Sequence, residues 1–145
     1  MKVRLMAERE IETIALIEQQ MFSDPWSERA IIETFARKQS LILTAGEGPV
    51  IMGYLIFYYA LDEGEIARIA VLKKYQNQGV GSHLIGELEK LCRQKGVDKL
   101  FLEVRESNRT AVNFYRKLGF ENNGIRRKYY AEPAEDAVLM SREIN

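Results

Sequence analysis

The segment Lys73 to Gly81 constrains this chain of 145 residues more than any other. It is polar, it ends in two glycines one residue apart, and it joins a strand-like run, Glu65 to Leu72, to an amphipathic run, Ser82 to Lys95. In the second run Leu84, Ile85, Leu88, Leu91 and Cys92 make one helical stripe, and Gly96 reads as its C-cap. A loop leading from a strand into a helix N-terminus gathers unpaired backbone N–H groups, and the helix dipole adds positive potential. Glycine lets an anion approach the main chain closely. Gln76-Asn77-Gln78-Gly79-Val80-Gly81, with Ser82 after it, therefore suits a phosphate as well as a plain tight turn. It lacks the Gly-Lys-Ser/Thr of a Walker A loop, and Leu84 stands where a dinucleotide fingerprint needs its third glycine.

The chain before this loop changes period. Lys2 to Met6 can form a first strand, and Glu8 to Phe22 reads as a helix with Ile11, Ile14, Ala15, Ile17, Glu18 and Met21 spaced by threes and fours. Ser23 to Ser27 breaks it. Ser27 can cap a second helix through Lys38, with Ile31, Ile32 and Phe35 inward. Leu41 to Ala45, Val50 to Tyr59 and Glu65 to Leu72 then read as strands of an antiparallel meander. After the glycine loop and its helix come a strand, Lys99 to Val104, a helix, Arg109 to Leu118, ended by Gly119, and two last strands, Phe120 to Ile125 and Asp136 to Arg142. Strand, helix, strand in this half implies a parallel crossover, so the expected class is α+β, with helices against a mixed sheet.

The length suits one domain, residues 1–145, with one core. Twenty-one basic residues balance 21 acidic ones, so the overall charge gives no reason to expect nucleic acid or an anionic membrane as partner. The single cysteine, Cys92, excludes an internal disulfide framework and suits a reducing compartment. No apolar run approaches the ~18 residues of a membrane span. Met1 to Glu10 lacks the apolar core of a secretory signal. These features lead us to expect a cytoplasmic protein.

Ile69-Ala70-Val71 followed by Gln76-x-x-Gly79-x-Gly81 resembles the acetyl-coenzyme A signature of the GNAT superfamily of N-acetyltransferases. The resemblance continues through Leu102-Glu103-Val104-Arg105, Ser107-Asn108, Ala111, Phe114-Tyr115 and Leu118-Gly119-Phe120, and so covers residues 65 to 120. Pro25-Trp26-Ser27, Ile125 to Tyr130, Glu135-Asp136-Ala137 and Met140 further resemble the bacterial ribosomal-protein-alanine N-acetyltransferase (RimI) family. Asp24 departs from that pattern, which has an aromatic or small residue before the Pro-Trp. The resemblance implies a mostly antiparallel central sheet with helices on both faces and a splayed parallel strand pair at the acetyl-coenzyme A site. It also implies transfer of acetyl from acetyl-coenzyme A to the N-terminal alanine of a small-subunit ribosomal protein.

Acetyl transfer to an amine needs a neutral amine, a polarised carbonyl, a held donor and a proton for the departing thiolate. On a strand, Phe101, Glu103 and Arg105 share one face, opposite the apolar Leu100, Leu102 and Val104. A carboxylate so flanked can carry a raised pKa, and the family's base matches Glu103; the plainer reading is a surface glutamate paired with Arg105 or Lys99. Tyr115 matches the family's acid and is otherwise a core tyrosine. Asn108 is expected on the pantetheine arm, and as a helix N-cap it can do both. The resemblance has Ile69, Ala70 and Val71 bind through their backbone, as one strand binds another, and makes their N–H groups candidates to polarise the thioester. Trp26, Tyr129 and Tyr130 are expected to wall the acceptor groove or else to pack as loop aromatics; Glu65 is a rival base, and Arg126 to Lys128 a solvated basic loop. The lone His83 makes no metal site, so no metal is expected, and Cys92 lies on an apolar stripe, which favours direct attack in a ternary complex over a cysteinyl intermediate. Two alternatives remain open: acetylation of lysine or a small amine, and a module that binds coenzyme A or docks on the ribosome without catalysis.

Overall fold

The structure, a computed structural model, describes residues 1–144. Its elements run β1 (Lys2–Leu5), α1 (Ile11–Met21), α2 (Glu28–Ala36), β2 (Ser40–Glu47), β3 (Val50–Ala60), β4 (Glu63–Val71), α3 (Val80–Lys95), β5 (Lys99–Arg105), α4 (Arg109–Lys117), β6 (Glu121–Ala131) and β7 (Ala134–Glu143). The strands form one sheet in the order β1-β2-β3-β4-β5-β7-β6, with β4–β5 parallel and the other pairs antiparallel.

Strand alternation divides the core between the two faces of the sheet. Leu43, Leu55 and Phe57 point to one face, where Leu84, Ile85 and Leu88 of α3 and Val112 and Tyr115 of α4 cover them. Their neighbours Ile42, Tyr54 and Ile56 point to the other, against Ile11, Ile14 and Ile17 of α1 and Ile31 of α2. This is the mixed sheet with helices on both faces. Among the described residues no helix is long and apolar enough to cross a membrane.

Two features of β4 make the site. First, its pairing with β5 stops early. Glu63, Gly64 and Glu65 pair with Lys99, Leu100 and Phe101, and beyond them the strands part. β5 keeps its other edge bonded to β7 through Arg105, so the main chain of 66–71 is left facing the gap. Second, Ala67 is an extra residue in the β3–β4 ladder: Ile56 faces Arg68 and Phe57 faces Ile66. The bulge reverses the alternation, so Ile66 packs toward α3 while Arg68 reaches Glu18 of α1.

Several expectations need correcting. A 3₁₀ turn, Glu8–Glu10, precedes α1, so the first helix is shorter than its apolar pattern. Ser27 caps α2 as expected, accepting from the Ala30 N–H at 3.0 Å. However, α2 ends at Ala36 and buries Ile31 and Thr34, which rotates Ile32 and Phe35 into solvent. The last two strands are longer than expected. β6 includes residues 126–130, which the sequence pattern leaves in a loop, because a register shift between Arg126 and Tyr130 hides the strand period.

Candidate active site

The gap between β4 and β5 opens into a groove of about 1300 Å³. One end is the N-terminus of α3. Gly79 sits just before this helix with φ of +84°, a left-handed conformation that favours glycine, and no side chain caps the first turn. Asn77 is also left-handed, at φ +64°. Together these turns bring the backbone round beneath the first N–H groups of α3. Gln76 braces the loop by donating its side-chain amide to the Val71 carbonyl at 2.9 Å. Gly81 serves helix packing instead. A Cβ there would lie 2.9 Å from Phe114 Cζ, so its absence lets α3 and α4 close together. The N-cap of α4 is Asn108, whose Oδ1 accepts from the Ala111 N–H at 3.1 Å; the NH2 of that amide can donate into the groove.

Ile69, Val71, Gln76, Asn77, Gly79, Val80, Gly81, Ser82 and Asn108 all line the groove. Ala70 and Gln78 do not. Ala70 packs its methyl toward α1, and Gln78 folds its amide back onto the Lys74 carbonyl at 3.3 Å. His83 is held by the Gly79 carbonyl at 2.8 Å. Among the described residues no group of three or more His, Cys, Asp or Glu is placed to hold a metal.

Tyr115 enters the groove wall from α4, 5% exposed and edge-on between Phe114 and Phe120, with ring centroids 5.2 and 5.5 Å away. Burial, with a smaller contribution from Tyr130, pushes its hydroxyl well above the ordinary tyrosine range, so it keeps its proton at neutral pH.

Glu103 comes from β5 and Glu65 from β4 at the point where the strands part. The plain expectation of Glu103 pairing with Arg105 or Lys99 fails. Its partners are Arg126, 3.7 Å away, and the side chains of Glu65 and Tyr129. Burial, then the charge and hydrogen bond of Glu103, raise Glu65 to about 7. The raised carboxyl of the two is Glu65, because it is desolvated and faces the Glu103 side chain. The sequence pattern points to Glu103 for the raised carboxyl and carries no sign of the pairing. The parallel register that sets Glu65 opposite Phe101 brings the two together.

Trp26, Tyr129 and Tyr130 also line this end. Trp26 stacks on Tyr58 at 6.2 Å, while Tyr129 and Tyr130 meet edge-on at 5.0 Å. The two tyrosines belong to β6, as does the basic cluster, which is solvent-exposed on a strand rather than in a loop, with Arg126 lying 5.1 Å over Tyr129.

A further network joins α1, β3 and β4 beneath the groove wall. Glu18, fully buried, accepts from the Tyr54 hydroxyl at 2.6 Å, the Trp26 backbone N–H at 2.8 Å and Arg68 Nη2 at 2.8 Å. Its signal was present in the sequence as a glutamate on an otherwise apolar helical stripe.

A model of the acetyltransferase (GNAT) family matches residues 11–120, and the chain belongs to that family. The chain is 40% identical over 138 residues to the ribosomal protein bS18-alanine N-acetyltransferase of Escherichia coli strain K12, covering 89% of this chain and 88% of the relative. Its fold matches the crystal structure of the ribosomal-protein-S18-alanine N-acetyltransferase from Escherichia coli with a TM-score of 0.90, at 32% identity over 99% of this chain and 94% of that one. It also matches Arabidopsis thaliana NAA60 in complex with acetyl-CoA, with a TM-score of 0.89 over 99% of this chain and 98% of that one; at 16% identity, that likeness concerns the fold alone.

Proposed function

We propose that this chain transfers acetyl from acetyl-coenzyme A to the α-amino group of a protein N-terminus, namely the N-terminal alanine of ribosomal protein bS18. One observation carries the reading: a single groove is lined by the uncapped N-terminus of α3, by Tyr115 and by the Glu65–Glu103 pair. The chemistry needs an anion cradle, a proton donor and a proton acceptor in one place. The relative in Escherichia coli supplies the acceptor class by its name. A ribosomal acceptor puts the work in the cytoplasm.

The groove fits acetyl-coenzyme A on two counts. Uncapped N–H groups after a left-handed Gly79 suit a diphosphate, and the edge of 66–71 that faces the gap, with no β5 partner, suits the amides of a pantetheine arm. Asn108 would donate its NH2 to that arm. When bound, acetyl-coenzyme A supplies an activated acetyl thioester.

The residues of the chain do the rest. Glu103, beside the raised carboxyl of Glu65, takes a proton from the acceptor ammonium, directly or through water. Tyr115 holds its proton at Oη for the sulfur that departs. Trp26, Tyr129 and Tyr130 exclude water around the acceptor and orient it. Cys92 is fully buried in the core on α3, its thiol pushed up to about 11 by burial, and it does not line the groove. That supports direct transfer in a ternary complex over a cysteinyl intermediate.

The test is mass spectrometry of the N-terminal peptide of bS18 incubated with the enzyme and acetyl-coenzyme A. Acetyl on the α-amino group is the expected product. Acetyl found only on an internal lysine would overturn the reading.

A further inference from the structure

Asp24 lines the groove with Trp26, Tyr129 and Tyr130, at the proposed acceptor end. Its carboxylate spans the two strands that part there. Oδ1 is 3.7 Å from Arg68 Nη1 on β4, and Oδ2 is 3.8 Å from Arg105 Nη2 on β5. Both guanidinium groups are held by further partners, Arg68 by α1 and Arg105 by the β6–β7 turn. Arg68 is held by buried Glu18 and lies 3.7 Å over the Phe22 ring. Arg105 donates to the Pro133 and Glu132 carbonyls at 2.9 and 3.1 Å and lies 4.3 Å over the Tyr130 ring.

Neither arginine is free to follow Asp24 if the loop moves, so Asp24 acts as a bridge between two fixed posts. A second tie runs parallel to it: Ser23 Oγ donates to the Glu132 carbonyl at 2.9 Å, joining the Asp24 loop to the β6–β7 turn. The α1–α2 loop and the β6–β7 hairpin are thus clasped together across the acceptor mouth.

We infer that Asp24 is a specificity-determining residue, whose bridge between Arg68 and Arg105 limits the size of the first side chain of the acceptor. This inference rests on the proposed transfer to a protein N-terminus. A methyl group fits beside a closed clasp, whereas a branched chain must push the loop from the hairpin and break two ion pairs. Steric selection of this kind is worth roughly 10- to 200-fold. The Asp24 side chain is 41% exposed, so the clasp is within reach of salt.

The experiment compares kcat/KM for two peptides that differ only in their first residue, alanine or leucine, with the full chain and its Asp24→Asn variant. Asparagine keeps the shape and the backbone carbonyl that accepts from Arg68 Nη2 at 2.8 Å, and loses only the charge. The alanine-over-leucine ratio is expected to fall about tenfold in the variant, with the affinity for coenzyme A unchanged. In the parent the ratio should fall as salt rises from roughly 50 to about 500 mM, and in Asp24→Asn it should not respond. The salt arm needs only the parent and stands even if the variant fails to fold. A ratio that neither the substitution nor salt alters overturns the clasp and leaves the proposed function intact. A parent that acetylates neither peptide overturns the proposed function itself.

Discussion

Glu65 and Glu103 share a hydrogen bond across the mouth of the β4–β5 splay, with Arg126 3.7 Å from Glu103 on the far side. Glu65 is raised to about 7, so it gains and loses its proton near neutral pH. A carboxyl titration followed by NMR on glutamate-labelled protein should therefore contain one glutamate with a midpoint at about 7. In Glu65→Gln that titration should vanish.

The same pair couples pH to folding. Folded Glu65 keeps its proton up to about pH 7, against an ordinary value of 4.5. Between those limits the folded chain binds more protons than the unfolded one. The contribution of Glu65 to stability is then complete below the ordinary value and is lost as pH rises through about 7. Urea denaturation between about pH 4.5 and 8 should show this downward slope in the parent, and a shallower one in Glu65→Gln.

On the proposed mechanism, Glu103→Gln and Tyr115→Phe each remove a proton carrier while preserving shape. Each should lower kcat by about 10²-fold or more, with a smaller effect on the binding of coenzyme A. Release of free thiol in the presence of acceptor peptide measures both. Rates equal to the parent would remove these assignments.

Glu18 and Arg68 form a buried pair, with side chains 0% and 13% exposed. Glu18→Ala strands the guanidinium beside Asp24 and deprives the Tyr54 hydroxyl and Trp26 N–H of their acceptor. The expected cost is about 3–5 kcal/mol by urea denaturation. The KM for the acceptor should rise as well, because Trp26 loses its anchor.

Gly79→Ala tests the donor cradle. A Cβ would find His83 no nearer than 3.7 Å, so the penalty comes from the backbone at φ +84° rather than from collision. It should cost about 1–2 kcal/mol in stability and weaken coenzyme A binding, and Gly79→Asn should recover part of both.

Much of this was legible in the sequence because local signals sufficed. The helical stripe of α3, the alternation of Leu100, Leu102 and Val104, and the Ser27 and Asn108 caps depend on neighbours a few residues away. What escaped depends on contacts distant in the chain. The partner of Glu103 is Glu65 because of strand register, and no spacing in the sequence encodes that. Arg68 turns toward Glu18 because Ala67 bulges, which puts Arg68 on the face opposite Ile66. Tyr129 and Tyr130 looked like loop residues because Lys128, at φ +52°, interrupts the strand around them.

The central claim is that one groove holds the donor with its sulfur beside Tyr115 and its acetyl group open to an amine near Glu103. A crystal structure of this chain with coenzyme A and an acceptor peptide tests it most directly. The diphosphate is expected on the backbone N–H groups that follow Gly79, the sulfur within hydrogen-bond reach of Tyr115 Oη, roughly 3 to 4 Å, and the peptide amine facing Glu103 directly or through one water. A diphosphate bound elsewhere, or a sulfur far from both residues, would contradict it.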